Sequence, residues 1–393
     1  MLKGIKVLSF AQYLQGPSGV QTLADLGADV IKIEPLTGAY ERKWSGADTY
    51  LNGVSVFFLV ANRNQRSMAI NLKTEEGKQI IYDLVKAYDV VIENFRPGVM
   101  DRLGFSYETL KKINPSVIYC SCSGWGETGP YSRKDGQDVL AQSVGGLIAQ
   151  SGPGDHPPVP VGNTVVDVHG GALSVIGILA AIYNRQTTGE GHLVETCLLN
   201  AAIDLQMESF GAYLNSGNTL PRAKTGLASR IHAAIYGVYR TKDGYITVNC
   251  RDEEKIKKAF GENVLGDVDN TFSNRYEIDR ILAAEISKKT TDEWMEILGK
   301  YNIRHAPVNE YPDVEKDPQV IHNQVVFEME HPVAGTVRAI NHANRYNGKP
   351  LPLRMLPPDL GEHSKNILQE CGYNEEQITE LLAKGVIKKS NPS

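Results

Sequence analysis

The sequence predicts an α/β fold in which helices cover a mostly parallel sheet, followed by a smaller α+β domain. In the first 125 residues, short runs rich in β-branched residues alternate with helical patterns, as in repeated strand–helix–strand units. Between residues 230 and 325 this alternation gives way to a hairpin pattern and amphipathic helices. The length of 393 residues agrees with two domains of ordinary size.

The elements of the first half can be placed in order. Gly27 follows a helical run and Thr74 precedes another, and these residue types are typical of helix ends. Glu75 and Glu76 fall in the first turn of that second helix, where negative charge is favourable. The predicted strands are 5–10, 28–34, 67–72, 89–95 and 117–123, and the predicted helices are 18–26 and 74–87.

The second half begins with a glycine- and proline-rich segment, residues 125–165, of a kind that often carries function in compact enzymes. An apolar helix over 167–187, a strand over 193–196 and a long helix over 198–214 are expected next. The smaller domain has a hairpin turned at Asp243–Gly244 and a helix that we expect Thr291 to cap. Two short helices are predicted within 361–384.

Composition excludes several function classes. Lys and Arg total 41 and Asp and Glu total 46, so the formal net charge is −5, and without a dense basic block nucleic acid is not the expected partner. The five scattered cysteines argue against a disulfide framework. The amino terminus lacks a signal-peptide pattern, and the longest apolar stretch, Gly170–Ile182, is shorter than a membrane span. We therefore expect a soluble, cytoplasmic protein.

Loops at the carboxyl ends of predicted strands could bind a ligand. The loop 12–19 opens a helix whose free N–H groups suit an anion, although it matches no dinucleotide or triphosphate motif, and an ordinary tight turn is the alternative. Two further loops place cations at the same sheet edge. One is the segment Glu93–Gly98, with Arg102 one turn later, and the other contains Lys73. Solvated loop cations are the alternative, but two such loops on one edge favour ligand binding.

Asp167 is the sharpest catalytic candidate, because it precedes a pair of glycines and a long apolar helix. A carboxylate in this position could simply cap the helix. It could instead act as a covalent nucleophile, if water is excluded and nearby amides stabilise an oxyanion. His169 diverges from Asp167 on a helix and is interpreted as structural. No histidine or cysteine spacing typical of a zinc site is present, so no metal is expected.

Ordered segments along nearly the whole chain carry a family resemblance. They include ADLGADVIKIE at 24–34, ENFRPGVMDRLG at 93–104, SGWGETGP at 123–130, TGEG at 188–191 and GEHS at 361–364. Read together, these segments resemble the class III CoA-transferase family, which includes formyl-CoA and carnitine CoA-transferases and alpha-methylacyl-CoA racemases.

The resemblance implies a Rossmann-like large domain formed by residues 1–224 and completed by a return segment and helices in 326–393. It implies a small α+β domain over 225–325 and an interlocked homodimer. It identifies Asp167 with the family's catalytic aspartate. The positions that match the family's CoA-binding residues are Leu14, Gln15, Ile70, Asn71, Leu72, Lys73, Asn94, Phe95, Arg96 and Arg102.

The implied activity is transfer of CoA from an acyl-CoA donor to a free carboxylic acid. Asp167 would form an aspartyl mixed anhydride and then an aspartyl-CoA thioester, with coenzyme A as co-substrate and no metal or nicotinamide cofactor. A thiolate leaves readily, because a thiol has a pKa of only about 8.5. The expected partners are therefore small molecules and a second copy of the chain, without nucleic acid or membrane.

The sequence departs from the family in three places. Gly226 stands alone where the formyl-CoA enzymes carry several glycines, which argues against formate or oxalate as substrate. Pro35 follows the second strand where some members have an arginine that anchors CoA. Gln137 stands where the racemases have a histidine, and glutamine cannot exchange an α-proton.

Two alternatives to transfer stay open. One is an acyl-CoA racemase or epimerase that uses Asp167 as a base, and the other is a CoA-binding protein without catalysis. A nicotinamide dehydrogenase is disfavoured by the missing glycine motif. The sequence leaves open the acids exchanged, the pathway and any contribution of the partner subunit, and names Arg230, His232 and Gln142 as candidates to line an acyl pocket.

Overall fold

The structure, a computed structural model, describes residues 1–390. These residues form two compact units. The first unit comprises Met1–Ala141, Thr164–Ala201 and the described chain from Pro318 onward, and the second comprises Gln142–Asn163 and Ala202–Asp317.

Fourteen strands occur among residues 1–390. In chain order they are β1 (Lys6–Ser9), β2 (Asp29–Glu34), β3 (Tyr50–Leu51), β4 (Val54–Ser55), β5 (Gln65–Ile70), β6 (Val90–Glu93), β7 (Ile118–Ser123), β8 (Leu193–Cys197), β9 (Tyr236–Arg240), β10 (Tyr245–Asn249), β11 (Arg304–Pro307), β12 (Val326–His331), β13 (Gly335–Ile340) and β14 (Ile387–Lys388).

Seventeen α-helices lie in the same described part of the chain. They are α1 (Gln15–Asp25), α2 (Val56–Ala61), α3 (Glu75–Val85), α4 (Val99–Leu103), α5 (Tyr107–Ile113), α6 (Asp138–Val144), α7 (Leu147–Gln150), α8 (Val165–Thr188), α9 (Leu198–Asp204), α10 (Met207–Ser216), α11 (Glu253–Phe260), α12 (Arg275–Ile286), α13 (Thr291–Lys300), α14 (Tyr311–Lys316), α15 (Pro318–His322), α16 (Ser364–Glu370) and α17 (Glu375–Ala383).

A seven-stranded sheet organises the first unit. Its strand order is β14-β5-β2-β1-β6-β7-β8, and every pair is parallel except the edge pair of β14 with β5. In the centre, Val7 of β1 lies opposite Val30 of β2 and Val90 of β6. The predicted α/β class with a mostly parallel sheet is confirmed.

Helices cover both faces of this sheet, which explains why its central strands are nearly continuous apolar runs. One face packs against α3, α16 and α17 through side chains that include Leu8, Ile31, Met68, Val91, Ile80, Ile81, Leu84, Ile367 and Ile378. The other face packs against α1 and α8 through side chains that include Val7, Val30, Val90, Ile118, Val20, Leu23, Val175 and Ile178.

Helix α8 is longer than the sequence pattern indicated. Its 24 residues make it long and apolar enough to cross a membrane, by length and composition only. The prediction that this stretch falls short of a membrane span was wrong, because helical residues extend beyond the apolar run 170–182 on both sides. Half of its most apolar window is buried, and the helix packs along α1 in the first unit.

Glycines bring α1 and α8 unusually close. A Cβ atom on Gly171 would lie 2.7 Å from the carbonyl oxygen of Gln15 and 3.0 Å from the amide nitrogen of Gly19. A Cβ atom on Gly19 would in turn lie 2.6 Å from Ser174 Oγ. Since no real side chain fits at such distances, these glycines set the distance between the two helices.

The long helix predicted over 198–214 is two helices, α9 and α10, so this prediction was wrong. The break lies at Gln206, whose Nε2 donates to the carbonyl oxygens of Ala202 and Gly145, each at 2.8 Å. Apolar periodicity continues across the break, which is why the sequence pattern did not reveal it.

The second unit contains the predicted hairpin, β9 and β10, extended by β11 into an antiparallel sheet. Helices α11, α12 and α13 cover it, with Trp294 donating from its buried indole to the carbonyl of Ile286 at 2.7 Å. The cap of α13 is Thr290 in a reciprocal pair with Glu293, not Thr291 as predicted. Thr291 instead bonds Asp243 in the hairpin turn, at 2.8 Å through its backbone N–H.

The boundaries of the two compact units differ from the division 1–224, 225–325 and 326–393 expected from the resemblance. Residues 142–163 and 202–224 belong to the second unit. Arg222 holds these two segments together, because its guanidinium donates to the carbonyls of Ser151 and His156, each at 2.7 Å. The expected division into domains stays a prediction.

Gly171→Ala tests the close packing of α1 and α8. We expect a loss of roughly 1–3 kcal/mol in the free energy of unfolding, since the added methyl group overpacks against backbone. Gly211→Ala in α10 is the matched control, because nothing lies near its Cβ position. The control should gain about 0.5–1 kcal/mol from the better helix former. Equal stability of both variants in urea titrations would contradict this packing argument.

Candidate active site

The candidate site lies at the carboxyl ends of β1, β5 and β6 and at the first turn of α8, all in the first unit. In an open parallel sheet, the carboxyl ends of the strands are where ligands bind. The loop after β1 leads directly into α1, and its position depends on neighbouring polar side chains.

Asn94 joins the loops that follow β1 and β6. Its Oδ1 accepts from the backbone N–H of Gln12 at 2.8 Å, and its Nδ2 donates to the carbonyl of Gln12 at 2.7 Å. Gly16 lets the loop pack closely on itself, since a Cβ there would lie 2.5 Å from the Cβ of Ala11. The structure therefore gives the Asn94 amide a role in holding the loop, in addition to its predicted place at the site.

A buried ion pair supports the same loop. Lys32 Nζ lies 2.7 Å from Glu41 Oε1, and both side chains are almost fully buried. Lys32 also donates to the carbonyl of Ala11 at 3.1 Å, while Glu41 accepts from the backbone N–H of Tyr13 at 3.1 Å. Tyr13 has a φ of 65°, a left-handed conformation that this hydrogen bond stabilises. Sequence analysis missed this pair, because nothing local distinguishes it from surface charges.

Asp167 is the third residue of α8 and is 6% exposed. The expected alternative, in which Asp167 caps the helix, was wrong. Asp138 makes the capping contacts, since its Oδ2 accepts from the backbone N–H groups of Val166 at 2.7 Å and Asp167 at 2.9 Å. The carboxyl group of Asp167 is therefore not used as the helix cap.

Gln15 lies beside the first turns of α8. A Cβ atom on Gly170 would lie 3.0 Å from Gln15 Nε2, so only glycine leaves room for this side chain. Gln15 Nε2 is buried and has no hydrogen-bond acceptor among residues 1–390. A buried donor without an acceptor is costly unless a ligand supplies one. The amide of Gln15 is thus available for a carbonyl or carboxylate oxygen.

Electrostatics favour the neutral form of Asp167 below neutral pH. Burial is the main cause, and the charge of Asp138 is the second; together they raise the pKa of Asp167 to about 7. Burial, followed by the charge of Asp167, also raises the pKa of Tyr13. A carboxylate formed in this setting is poorly solvated and therefore reactive as a nucleophile.

The segment 70–73 follows β5 at the same sheet edge. Ile70 is buried in the core, and Leu72 packs partly against it. Asn71 closes a turn through its Oδ1, which accepts from the backbone N–H of Lys73 at 3.1 Å. The side chain of Lys73 is exposed. Within this segment, the lysine is the group best suited to a ligand in solution.

The segment after β6 carries the remaining predicted residues. Phe95 packs partly against the core, whereas the side chains of Arg96 and Arg102 are exposed. Arg96 forms an exposed ion pair with Asp135 at 2.7 Å, which is worth little in solution and is easily exchanged for a phosphate. Exposed cations at the strand ends suit the phosphates of CoA.

Among residues 1–390, no group of three or more His, Cys, Asp or Glu side chains is placed to hold a metal ion. Cys120 and Cys122 lie buried on the same face of β7, with their sulfur atoms 3.9 Å apart, in an apolar cluster.

The three candidates for an acyl pocket, Gln142, Arg230 and His232, lie in the second unit. Arg230 lines a cavity of about 630 Å³ and donates to the carbonyls of Leu220 and Ala149. His232 Nε2 lies 3.3 Å from a carboxylate oxygen of Glu208. Gln142 accepts from the backbone N–H of Val161 at 3.0 Å.

Comparison with known proteins assigns the family. Residues 2–364 match the model of CoA-transferase family III. Succinyl-CoA:glutarate CoA-transferase from Mus musculus is 33% identical, over 99% of this chain and 90% of its own length. Formyl-CoA:oxalate CoA-transferase from Streptomyces avermitilis is 31% identical, over 98% of this chain and 99% of its own length. A CAIB/BAIF family protein from Brucella suis has a similar crystal structure, with a TM-score of 0.81, 31% identity and coverage of 94% of this chain and 99% of that one.

The chain therefore belongs to CoA-transferase family III. The family resemblance read from the sequence, and with it the prediction of a class III CoA-transferase enzyme, is confirmed.

The pH dependence of the free energy of unfolding in Asp167→Asn tests whether the pKa of Asp167 is raised. The folded protein holds a proton on Asp167 up to about pH 7, whereas the unfolded chain loses it near 3.8. The native enzyme should therefore lose stability between these values as the pH rises. We expect the variant's stability advantage in urea titrations to grow by roughly 3 kcal/mol between pH 5 and pH 8.

The control for this measurement is Asp269→Asn, a substitution at an exposed surface position. Its stability difference from the native enzyme should stay constant across the same pH range. If Asp167→Asn behaved like this control, the argument from burial would be wrong.

Proposed function

We propose that this enzyme moves CoA from an acyl-CoA donor to a free carboxylic acid through covalent intermediates on Asp167. Family membership supports the transfer itself. The observation that carries the mechanism is a buried carboxyl group in the first turn of α8 that is not used as the helix cap. The unpaired Nε2 of Gln15 lies next to Gly170 of the same helix. Such a carboxyl group fits a nucleophile better than a structural cap.

The reaction begins when the Asp167 carboxylate attacks the thioester carbonyl of the donor. The carbon–sulfur bond breaks, CoA leaves as a thiolate, and a mixed anhydride forms. The thiolate then attacks the aspartyl carbonyl, which releases the donor acid as a carboxylate and leaves an aspartyl-CoA thioester. The acceptor carboxylate reverses these two steps, so the acceptor leaves as its CoA thioester and Asp167 is regenerated. Charge and atoms balance without a redox or proton-consuming step.

Burial of Asp167 serves this mechanism in two ways. It limits water, which would hydrolyse the anhydride, and it raises the reactivity of the ionised carboxylate. The amide of Gln15 is positioned to donate to an oxygen that becomes negatively charged during attack. The positive end of the α8 dipole favours the same charge.

We propose that CoA binds along the strand ends. Exposed Lys73, Arg96 and Arg102 would bind its phosphates, since they are the cations of the two loops at this edge. Segments that include Leu14, Ile70, Leu72 and Phe95 would bind the remaining parts of the molecule through backbone and apolar contacts. Asn94 and Gln15 would fix the loop close to the thioester.

Short dicarboxylic acids are the first substrates to test. Relatives named succinyl-CoA:glutarate CoA-transferase and succinyl-CoA–D-citramalate CoA-transferase match almost the whole chain. The single glycine at 226 argues against formate and oxalate, which leaves the longer acids named for these relatives. We therefore propose succinyl-CoA as donor and glutarate as the first acceptor to assay.

We also propose that the enzyme is a cytoplasmic homodimer. Large apolar side chains are exposed on α8, at Ile176 and Tyr183, and on α10, at Met207 and Leu214. Such surfaces typically mark an interface with another chain. The five cysteines are all unpaired, as a reducing compartment would keep them.

Intact-protein mass spectrometry tests the covalent mechanism. After incubation with succinyl-CoA, we expect a CoA-sized adduct on the native enzyme that hydroxylamine removes, because a thioester is labile to this nucleophile. Asp167→Ala should show no adduct, while Asp269→Asn should show it in full. An unmodified native enzyme that nevertheless incorporates deuterium at the α-carbon of an acyl-CoA would refute the transferase mechanism and support the racemase alternative.

A further inference from the structure

A second pair of carboxyl groups lies beside the proposed CoA loop, in the first unit. Glu93 ends β6 and is 5% exposed, and Glu127 follows β7 and is half-buried. Ser121 lies between them, with its Oγ 2.7 Å from Glu93 Oε1 and 2.6 Å from Glu127 Oε1. Both distances lie within the range of O–H···O hydrogen bonds.

This geometry favours one additional proton. The serine hydroxyl has a single hydrogen, which can point directly at only one of the two carboxylates. The second contact becomes a full hydrogen bond when the other carboxyl group is protonated and donates to Ser121. Burial, and to a smaller extent the charges of Glu127 and Asp101, raise the pKa of Glu93 to about 7.

Glu93 also shapes the loop that follows it. Its second oxygen, Oε2, accepts from the backbone N–H of Phe95 at 2.8 Å. This bond fixes the peptide between Asn94 and Phe95, and Asn94 in turn holds the loop before α1. The orientation of Arg96 and the start of α4 therefore depend on where the Glu93 carboxyl group lies.

We propose that Glu93 is a positioning residue for CoA binding, and that the proton it shares with Glu127 through Ser121 keeps the loop 94–102 in its binding conformation. The inference rests on the proposed CoA-transferase function and adds a regulation of its binding step. Once that proton is lost at higher pH, two carboxylates repel each other across Ser121. Glu93 then moves, and the loop loses the hydrogen bond to Phe95.

Other ionisable groups face this pair from the neighbouring elements. A cavity of about 230 Å³ next to it is lined by further acids, Asp101, Glu108 and Glu195, and by one cation, Arg96. Tyr107 and Tyr119 line the same cavity. Cys122, which belongs to β7, lies close to Glu93. The acids outnumber the cation, so the surroundings resist a second negative charge on the pair.

The test compares the pH dependence of KM and kcat for succinyl-CoA between pH 6.5 and 9. In the native enzyme we expect KM to rise at least tenfold across this range, while kcat does not fall. Glu93→Gln mimics the protonated group, because its amide can donate to Ser121 and its oxygen can accept from Phe95. Its KM should therefore stay low and nearly constant with pH.

Glu195→Gln is the matched control, since it removes a carboxylate from the same cavity without touching the network. It should keep the native rise in KM, displaced at most slightly to higher pH because one neighbouring negative charge is gone. A second variant, Glu93→Ala, removes the bond to Phe95 and should raise KM at every pH with little change in kcat. If Glu93→Gln kept the native rise in KM, or if Glu195→Gln abolished it, the inference would be overturned.

Binding of free CoA, measured by calorimetry on the full chain, separates this inference from the proposed function. Tight binding at pH 6.5 that weakens at least tenfold by pH 9 in the native enzyme, but not in Glu93→Gln, supports both. Native binding that does not change with pH overturns only the role of the shared proton. A native enzyme that binds no CoA at any pH overturns the proposed function and the inference with it.

Discussion

Asp138 accepts hydrogen bonds from the first backbone N–H groups of α8, at 2.7 and 2.9 Å, and the candidate site depends on this interaction. A helix that begins without such an acceptor leaves its first N–H groups unsatisfied. Because Asp138 supplies the acceptor, the carboxyl group of Asp167 is free for chemistry. The same proximity places two carboxyl groups together, and this raises the pKa of Asp167 beyond the effect of burial.

Close packing of α1 against α8 completes this arrangement. Gly170 and Gly171 leave no side chain between the helices, so Gln15 reaches the first turns of α8 with its amide unpaired. Behind the loop, the buried pair of Lys32 and Glu41 holds the backbone of Ala11 and Tyr13. A buried ion pair adds little net stability, but through these two hydrogen bonds it anchors the backbone of the loop before α1. The side chains of the candidate site are thus positioned before any substrate arrives.

Much of the fold follows from local pattern. Strands β1, β2, β5, β6 and β7 were predictable, because strands buried on both faces are short apolar runs between turn signals. Asp167 was predictable as a candidate from the glycine pair and the apolar helix after it. The membership of the whole chain in a CoA-transferase family was predictable from ordered motifs along the sequence.

The rest depends on contacts between residues distant in sequence. Asp138 lies 28 residues before Val166, whose backbone N–H it caps, so no local signal identifies it. Lys32 and Glu41 look like surface charges until the fold buries them. The helix break at Gln206 depends on a hydrogen bond from its side chain to the carbonyl of Gly145. The apolar pattern of the sequence continues across this break and therefore does not indicate it.

The rate of aspartyl-CoA formation in a single turnover, measured against pH, tests the central claim most directly. For the native enzyme we predict that the rate rises about tenfold per pH unit below pH 7 and levels off above it, as Asp167 ionises. In Asp138→Asn the midpoint should move to lower pH, because one of the two causes of the raised pKa is removed while the asparagine oxygen still caps α8. A native rate that does not change between pH 5 and pH 8, or a midpoint that Asp138→Asn leaves in place, would contradict the account.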